Sequence, residues 1–148
     1  MITYRGRPRY PDPEEFLYYE GRFFTVEWYY TEDGALPAWQ YHQGLGEMDQ
    51  ERLERVVKHM ADNPPGTPLA STRYRVEDAA HKIYAFKPGD ERFFNFMTDG
   101  RKIIITNAYR KHSQEMTKAD LRHLETAIKR RADYLERVRE GVYYEDQA

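Results

Sequence analysis

The stretch that begins at residue 81 constrains the fold most, because three short β-forming segments are followed there by one long amphipathic segment. Residues 82–86, 92–97 and 102–108 are rich in aromatic and β-branched side chains, which predicts three strands. The Asp99-Gly100 pair between the last two segments is typical of a β-hairpin, because both residues tolerate the positive φ of tight turns. Alternation within the middle strand predicts two faces, one with Arg92, Phe94 and Phe96 and the other with Phe93 and Asn95.

The long amphipathic segment is predicted to be a helix that begins after Thr117. A threonine hydroxyl suits the N-cap position, and Asp120 would then lie in the first turn, where the helix dipole stabilises a carboxylate. The apolar residues expected along this helix are Leu121, Leu124, Ile128, Leu135 and Val138.

The first half of the chain predicts one strand and two helices. The strand spans residues 23–30, and a short helix spans residues 38–45. Residues 48–62 predict a longer helix with regularly spaced apolar residues, which the prolines and glycine of residues 63–66 end. The order β-α-α-β-β-β-α predicts an α+β domain, with helices packed on a small, mainly antiparallel sheet.

This domain is expected to span residues 21–140, with a segment outside it at each end. Residues 1–20 contain three prolines and predict an irregular N-terminal arm, with a short helical turn at residues 14–19. Residues 141–148 predict an acidic C-terminal tail.

Charge is distributed unevenly along the chain. Residues 1–80 carry 9 Lys and Arg against 14 Asp and Glu, whereas residues 81–140 carry 14 against 9. The net charge of −2 argues against a general nucleic-acid binder, but this distribution allows a basic face on the C-terminal half.

Several classes of site are excluded by the composition. The chain has no cysteine, which rules out disulfides and thiol nucleophiles. The five histidines show no metal-binding spacing, and no glycine-rich phosphate loop or hydrolase motif occurs. We therefore expect no metal and no cofactor. No long apolar run occurs, which predicts a soluble, cytoplasmic protein without a membrane partner.

Basic side chains gather around the predicted sheet, and metal-free RNA cleavage needs such groups. That reaction requires a base for the 2′-hydroxyl, an acid for the leaving 5′-oxygen and cations for the phosphate. Arginine can donate two parallel hydrogen bonds to phosphate, histidine transfers protons near neutral pH, and lysine can do so if neighbouring cations lower its pKa. We expect one surface to carry the five candidate catalytic residues, namely Lys82, Arg92, Arg110, Lys111 and His112.

Each candidate also has a structural interpretation. Arg92 can form a surface ion pair with Asp90 or Glu91, which contributes little. Lys82 and Lys111 can be solvated strand ends, and His112 can make a local hydrogen bond.

The order of four motifs resembles a known family. The motifs KIYAFK, ERFFNF, TDGRKIIITNAYRKHSQ and AIKRRADYL follow one another in residues 82–135. From residue 23 to about residue 135 the chain resembles the RelE/ParE superfamily of toxins from type II toxin–antitoxin systems, and within it the phage-derived, HigB-like branch. The resemblance implies a RelE-like fold and a small endoribonuclease that cleaves mRNA, commonly on the ribosome. A cognate antitoxin of the helix-turn-helix type would hold it inactive.

The resemblance also implies roles for single residues. Lys82 matches a lysine near the scissile phosphate, Arg92 matches a phosphate-binding arginine, and Arg110-Lys111 matches the basic pair before the last helix. Lys87 lies where the HigB-like branch often has arginine, and His112 replaces a lysine of that branch.

A cleavage mechanism follows from these roles. His112 or Lys82 would be the base, and Lys111 the acid or a charge stabiliser. The phosphate would be held by Arg92 and Arg110. The candidate substrate-binding residues are Tyr84, Lys87 and Tyr109, and either tyrosine would stack on a base.

Two alternatives stay open. One is a ParE-like toxin that inhibits DNA gyrase without cleaving RNA, and the other is an inactive RelE-fold protein that binds RNA or a partner.

Overall fold

A single mixed sheet runs through the protein in the computed structural model, which describes residues 10–68 and 73–145. Six strands and four helices give the described part an α+β architecture, which confirms the predicted fold class. In chain order the elements are α1 (Pro13–Phe16), β1 (Leu17–Glu20), β2 (Thr25–Trp28), α2 (Pro37–Gln43), α3 (Glu47–Ala61), β3 (Tyr74–Asp78), β4 (Ile83–Phe86), β5 (Glu91–Met97), β6 (Lys102–Arg110) and α4 (Lys118–Arg139).

The strand order across the sheet is β1-β2-β6-β5-β4-β3. β2 pairs with β6 in parallel, and the other four pairings are antiparallel, so the sheet is mainly antiparallel as predicted. Antiparallel pairing brings the end of β4, the beginning of β5 and the end of β6 together at one end of these strands.

Helices cover both faces of the sheet. Phe96 of β5 contacts Tyr134 of α4, with ring centroids 5.3 Å apart. The opposite face carries Phe93, whose ring lies 5.8 Å from that of Tyr41 in α2. The predicted alternation of β5 between two faces is therefore confirmed for these positions.

The two long helices form where the sequence predicts them. α3 buries Leu53, Val56, Val57 and Ala61. α4 begins with a capping box, in which the Asp120 amide donates to the Thr117 hydroxyl and the Thr117 amide donates to the Asp120 carboxylate. The predicted N-cap is thus confirmed.

The apolar stripe of α4 differs in part from the prediction. Leu121 and Leu135 are exposed, whereas Tyr134 and Ala127 are buried. Tyr134 takes this place because its ring packs between Phe96 and Tyr143, which follows α4.

Two short elements were not predicted. They are β1 and the edge strand β3, so the expected order β-α-α-β-β-β-α is incomplete. The predicted helical turn at residues 14–19 is wrong beyond Phe16, because residues 17–20 form β1 and pair with β2. The N-terminal boundary at residue 21 therefore divides the sheet.

The expected tail also differs from the structure. Tyr143 is completely buried, stacks on Tyr30 with centroids 4.2 Å apart, and accepts a hydrogen bond from the Tyr30 amide. Tyr143 and Tyr144 thus take part in the core packing, whereas residues 146–148 lie outside the described residues.

The predicted hairpin between β5 and β6 is confirmed, but the positive φ lies at a different residue. Arg101 has a φ of 59°, whereas φ is not positive at Asp99 or Gly100. The Arg101 amide donates to the Thr98 carbonyl, so a tight turn precedes the left-handed residue.

Candidate functional site

A cleft with an excess of basic side chains lies where β4 ends, β5 begins and β6 ends. Its volume is about 240 Å³. We call it the cationic cleft, and its lining consists of Arg75, Glu77, Lys87, Arg92, Phe94, Tyr109, Lys111, Gln114, Met116, Asp120 and Leu124. Four cations and two carboxylates among these residues give the lining a net positive charge.

Strand register brings the basic residues together. Arg92 of β5 pairs with Tyr109 of β6, so both side chains lie on the same face. Arg75 of β3 pairs with Ala85, which in turn pairs with Phe94, and Arg75 therefore shares this face. Lys87, two residues after Ala85, continues the alternation of β4 onto the same side.

The backbone of the turn before β5 holds Arg92 in position. Its Nη1 donates to the carbonyl oxygen of Gly89 at 2.7 Å and to that of Glu91 at 2.9 Å. Gly89 has a φ of 94°, a conformation that favours glycine. The alternative in which Arg92 pairs with Asp90 or Glu91 does not match this arrangement, because both carboxylates contact Arg110.

Lys87 has an unusual electrostatic environment. Partial burial lowers its pKa, and the charges of Arg92 and Arg75 lower it further. A lysine in such surroundings has a larger neutral fraction than an exposed lysine at the same pH, which is what proton transfer by an amine requires.

On the opposite wall, a buried ionic network joins β6 to α4. Lys111 Nζ donates to Asp120 Oδ2 at 2.7 Å and to the Glu115 carbonyl oxygen at 3.1 Å. Burial by itself raises the pKa of a carboxylate, yet hydrogen bonds from Lys111, Thr117 and Tyr109 outweigh it, and the pKa of Asp120 falls well below its usual range. Burial and the bond to Asp120 raise the pKa of Tyr109, which stays a neutral phenol.

Two predicted residues lie away from the cleft. Lys82 is exposed in the turn before β4. Tyr84 pairs with Asn95, so Lys82, two residues before Tyr84, lies opposite Met97 of β5. Met97 is about 17 Å from Arg92 along β5, at ~3.3 Å per residue. Tyr84 stacks on Tyr74 of β3, with centroids 5.4 Å apart.

Two further predicted residues lie beside a second pocket. Arg110 donates to Glu91 at 3.0 Å and to Asp90 at 3.3 Å, so its charge is compensated locally. His112 is exposed and lines a pocket of about 470 Å³ together with Arg110 and His123. The expectation that all five candidates share one surface is therefore wrong, since the structure brings only Arg92 and Lys111 of that set into the cationic cleft.

Sequence reasoning missed several lining residues. Arg75 and Glu77 were overlooked because β3 follows a polar loop, although the alternating segment Tyr74-Arg75-Val76-Glu77 was a usable strand signal. The sequence predicts for Asp120 only a favourable interaction with the dipole of α4. Its pairing with Lys111 depends on tertiary structure, and no local sequence pattern predicts it.

Neither a metal site nor a membrane-spanning helix is found in the described part of the chain. Within residues 10–68 and 73–145, no three His, Asp or Glu side chains are grouped so that they could hold a metal ion. In the same residues, no helix combines the length and apolar character needed to cross a membrane.

Comparison with known proteins gives no assignment. No model of a protein family matches the chain, and no curated protein matches it. The resemblance to the RelE/ParE superfamily therefore stays a prediction that rests on the order of motifs in the sequence.

Proposed function

We propose that this protein is an mRNA endoribonuclease, the toxin of a type II toxin–antitoxin system, and that the cationic cleft binds the scissile phosphodiester. The observation that carries the proposal is the gathering of four basic side chains, Arg75, Lys87, Arg92 and Lys111, around one small cleft. Such a group supplies what a phosphate with developing negative charge requires. The reaction would use no metal and would take place on mRNA in the cytoplasm, free or on the ribosome.

The fold is compatible with this proposal. The α+β class and the mainly antiparallel sheet of the described residues support it. A cognate antitoxin would cover the cleft or compete with RNA for it.

The cleft residues have different roles in the cleavage reaction. Arg92 and Arg75 bind the phosphate oxygens. Lys87 in its neutral form accepts the 2′-hydroxyl proton, the 2′-oxygen attacks phosphorus, and the bond to the 5′-oxygen breaks. Lys111 uses two of its three N–H donors on Asp120 and Glu115, and the third supplies a proton to the leaving oxygen. The products are a 2′,3′-cyclic phosphate and a 5′-hydroxyl.

The first test uses purified protein and an end-labelled RNA, alone and on translating ribosomes. Arg92→Ala is expected to lower the cleavage rate by at least ~100-fold, because it removes a charge that stabilises the transition state. Arg55→Gln on α3 is the matched control, since it removes an exposed arginine outside the cleft lining. Equal cleavage by wild type and Arg92→Ala would refute the assignment.

The role of Lys87 predicts a pH dependence. Its pKa is lowered, so the neutral amine forms at lower pH than in an ordinary lysine, and cleavage should rise with pH until Lys87 is deprotonated. Lys87→Arg keeps the positive charge but cannot release its proton. We expect that variant to bind RNA with near wild-type affinity and to lose cleavage and this rise with pH. A Lys87→Arg variant that cleaves with an unchanged pH profile would contradict the role.

A second candidate function is RNA binding without cleavage. It is favoured by the absence of histidine from the described lining of the cleft, and by the pairing of Lys111 with Asp120. In that case RNA would bind in an Arg92-dependent way, and no new 5′-hydroxyl ends would appear. Growth arrest in cells without mRNA cuts would instead support the gyrase-inhibitor alternative.

A further inference from the structure

A third cavity lies far from the cationic cleft, at the start of β6, and four aromatic rings line it. Its volume is about 470 Å³, and the rings belong to Tyr10, Phe16, Tyr30 and Tyr144. The Phe16 ring contacts two of the others, with its centroid 5.9 Å from that of Tyr30 and 6.0 Å from that of Tyr144. We call this cavity the aromatic pocket.

The aromatic pocket carries a net negative charge. Its charged lining residues are Glu27, Glu145 and Lys102, two carboxylates against one ammonium. Glu27 is only 4% exposed, and its Oε1 accepts a hydrogen bond from the Tyr144 hydroxyl at 2.6 Å. Burial raises the pKa of Tyr144 far above its usual value, so this phenol adds no charge of its own. A buried carboxylate among electron-rich ring faces attracts cations and disfavours anions.

One ammonium group already uses these contacts. Lys102 Nζ lies 3.9 Å from the centroid of the Tyr144 ring and 3.1 Å from Glu27 Oε2. The chain thus demonstrates that an ammonium fits between this ring and this carboxylate, while the pocket beside it has room for a further small molecule. The Tyr10 hydroxyl is buried and has no hydrogen-bond partner among the described residues.

We propose that the aromatic pocket binds a small organic cation with a substituted ammonium group, held by the rings of Tyr10, Phe16 and Tyr144 and by the charge of Glu27. This site is independent of the proposed ribonuclease activity, because it shares no lining residue with the cationic cleft. Lys102 competes with such a ligand for Glu27 and for the Tyr144 ring.

Because Lys102 competes with the ligand, replacing Lys102 should strengthen ligand binding. Choline serves as the probe, and its uncharged isostere 3,3-dimethyl-1-butanol serves as the matched control, with binding followed by NMR shift changes in the full-length protein. Choline should bind wild type and the alcohol should bind more weakly. Lys102→Met removes the resident ammonium and should tighten choline binding by about tenfold, the order of one desolvated cation–π contact. Loss of a merely structural lysine would not strengthen binding.

A second variant covers the case in which Lys102→Met fails to fold. Tyr10→Leu removes one ring from the wall without breaking a hydrogen bond within the described chain, and it should weaken choline binding severalfold with the spectrum of the folded protein retained. Equal binding of choline and its isostere would overturn the proposal. So would the absence of choline binding to folded wild type, or choline binding that neither variant changes.

Discussion

Replacing Asp120 with asparagine should destabilise the protein strongly, because its carboxylate lies at the centre of a buried network. The side chains of Asp120 and Lys111 are 6% and 16% exposed, and their charged atoms are 2.7 Å apart. Asparagine keeps the size of the side chain but leaves the ammonium of Lys111 largely buried without its counter-charge. Breaking such a pair from one side costs about 3 kcal/mol. The capping bond to the Thr117 amide can persist through the amide oxygen, so the loss should come mainly from the ion pair.

The same network predicts how stability changes with pH. The folded-state pKa of Asp120 is lower than the usual value of 3.8. Its carboxylate therefore contributes its full stability above pH 3.8, and this contribution is lost as pH falls through the folded-state pKa. The difference in the free energy of unfolding between wild type and Asp120→Asn should be largest near neutral pH and should shrink below pH 3.8.

Urea denaturation at several pH values measures this difference. Asp99→Asn is the control, because Asp99 is exposed in the hairpin turn and its replacement should change stability little at any pH. A difference of less than about 1 kcal/mol at neutral pH for Asp120→Asn would refute the reasoning. A difference that grows in acid would contradict it as well.

Two further predictions concern the parts of the fold that the sequence did not reveal. Gly21→Ala would place a Cβ 2.5 Å from the Ala61 Cβ and 2.6 Å from its carbonyl oxygen, so thermal denaturation should show a loss of at least ~2 kcal/mol. Gly46→Ala is its control, since no atom lies within 4 Å of the new methyl group, and equal stabilities of the two variants would contradict the close contact. Tyr143→Phe removes the acceptor of the buried Tyr30 amide and should cost ~1–3 kcal/mol in urea denaturation, whereas an unchanged midpoint would place Tyr143 outside the core.

The elements that could be predicted are those whose sequence pattern is local. α3 and α4 carry apolar residues at helical spacing, and Thr117 is the expected N-cap, which forms a capping box with Asp120. The hairpin between β5 and β6 was likewise visible in its Asp-Gly pair, although the positive φ fell on Arg101. In each case neighbours along the chain determine the structure.

The missed elements depend on distant residues. β1 follows a proline-rich, acidic segment, and it is held by pairing with β2 and by the bond from the Tyr19 hydroxyl to Asp62 at 2.6 Å. Tyr143 follows a glycine and precedes acidic residues, so the segment resembled a tail, yet its ring packs against Tyr30 and Tyr134. No local pattern contains these partners.

The candidate site was predictable in composition and less so in arrangement. Lys87, Arg92, Tyr109 and Lys111 were all candidates, and the structure brings them together. The alternation of β6 could have separated Arg110 from its neighbours, because adjacent strand residues point to opposite faces. The contribution of Arg75 required the register of β3 on β4, which its sequence does not specify.

The most direct test of the central claim is a cleavage assay that compares wild type, Arg92→Ala and Arg55→Gln on the same mRNA, with the 5′ ends of the products mapped. We expect new 5′-hydroxyl ends with wild type and with Arg55→Gln, and at least ~100-fold fewer with Arg92→Ala. Folded wild-type protein that yields no 5′-hydroxyl ends, with and without ribosomes, would contradict the ribonuclease assignment.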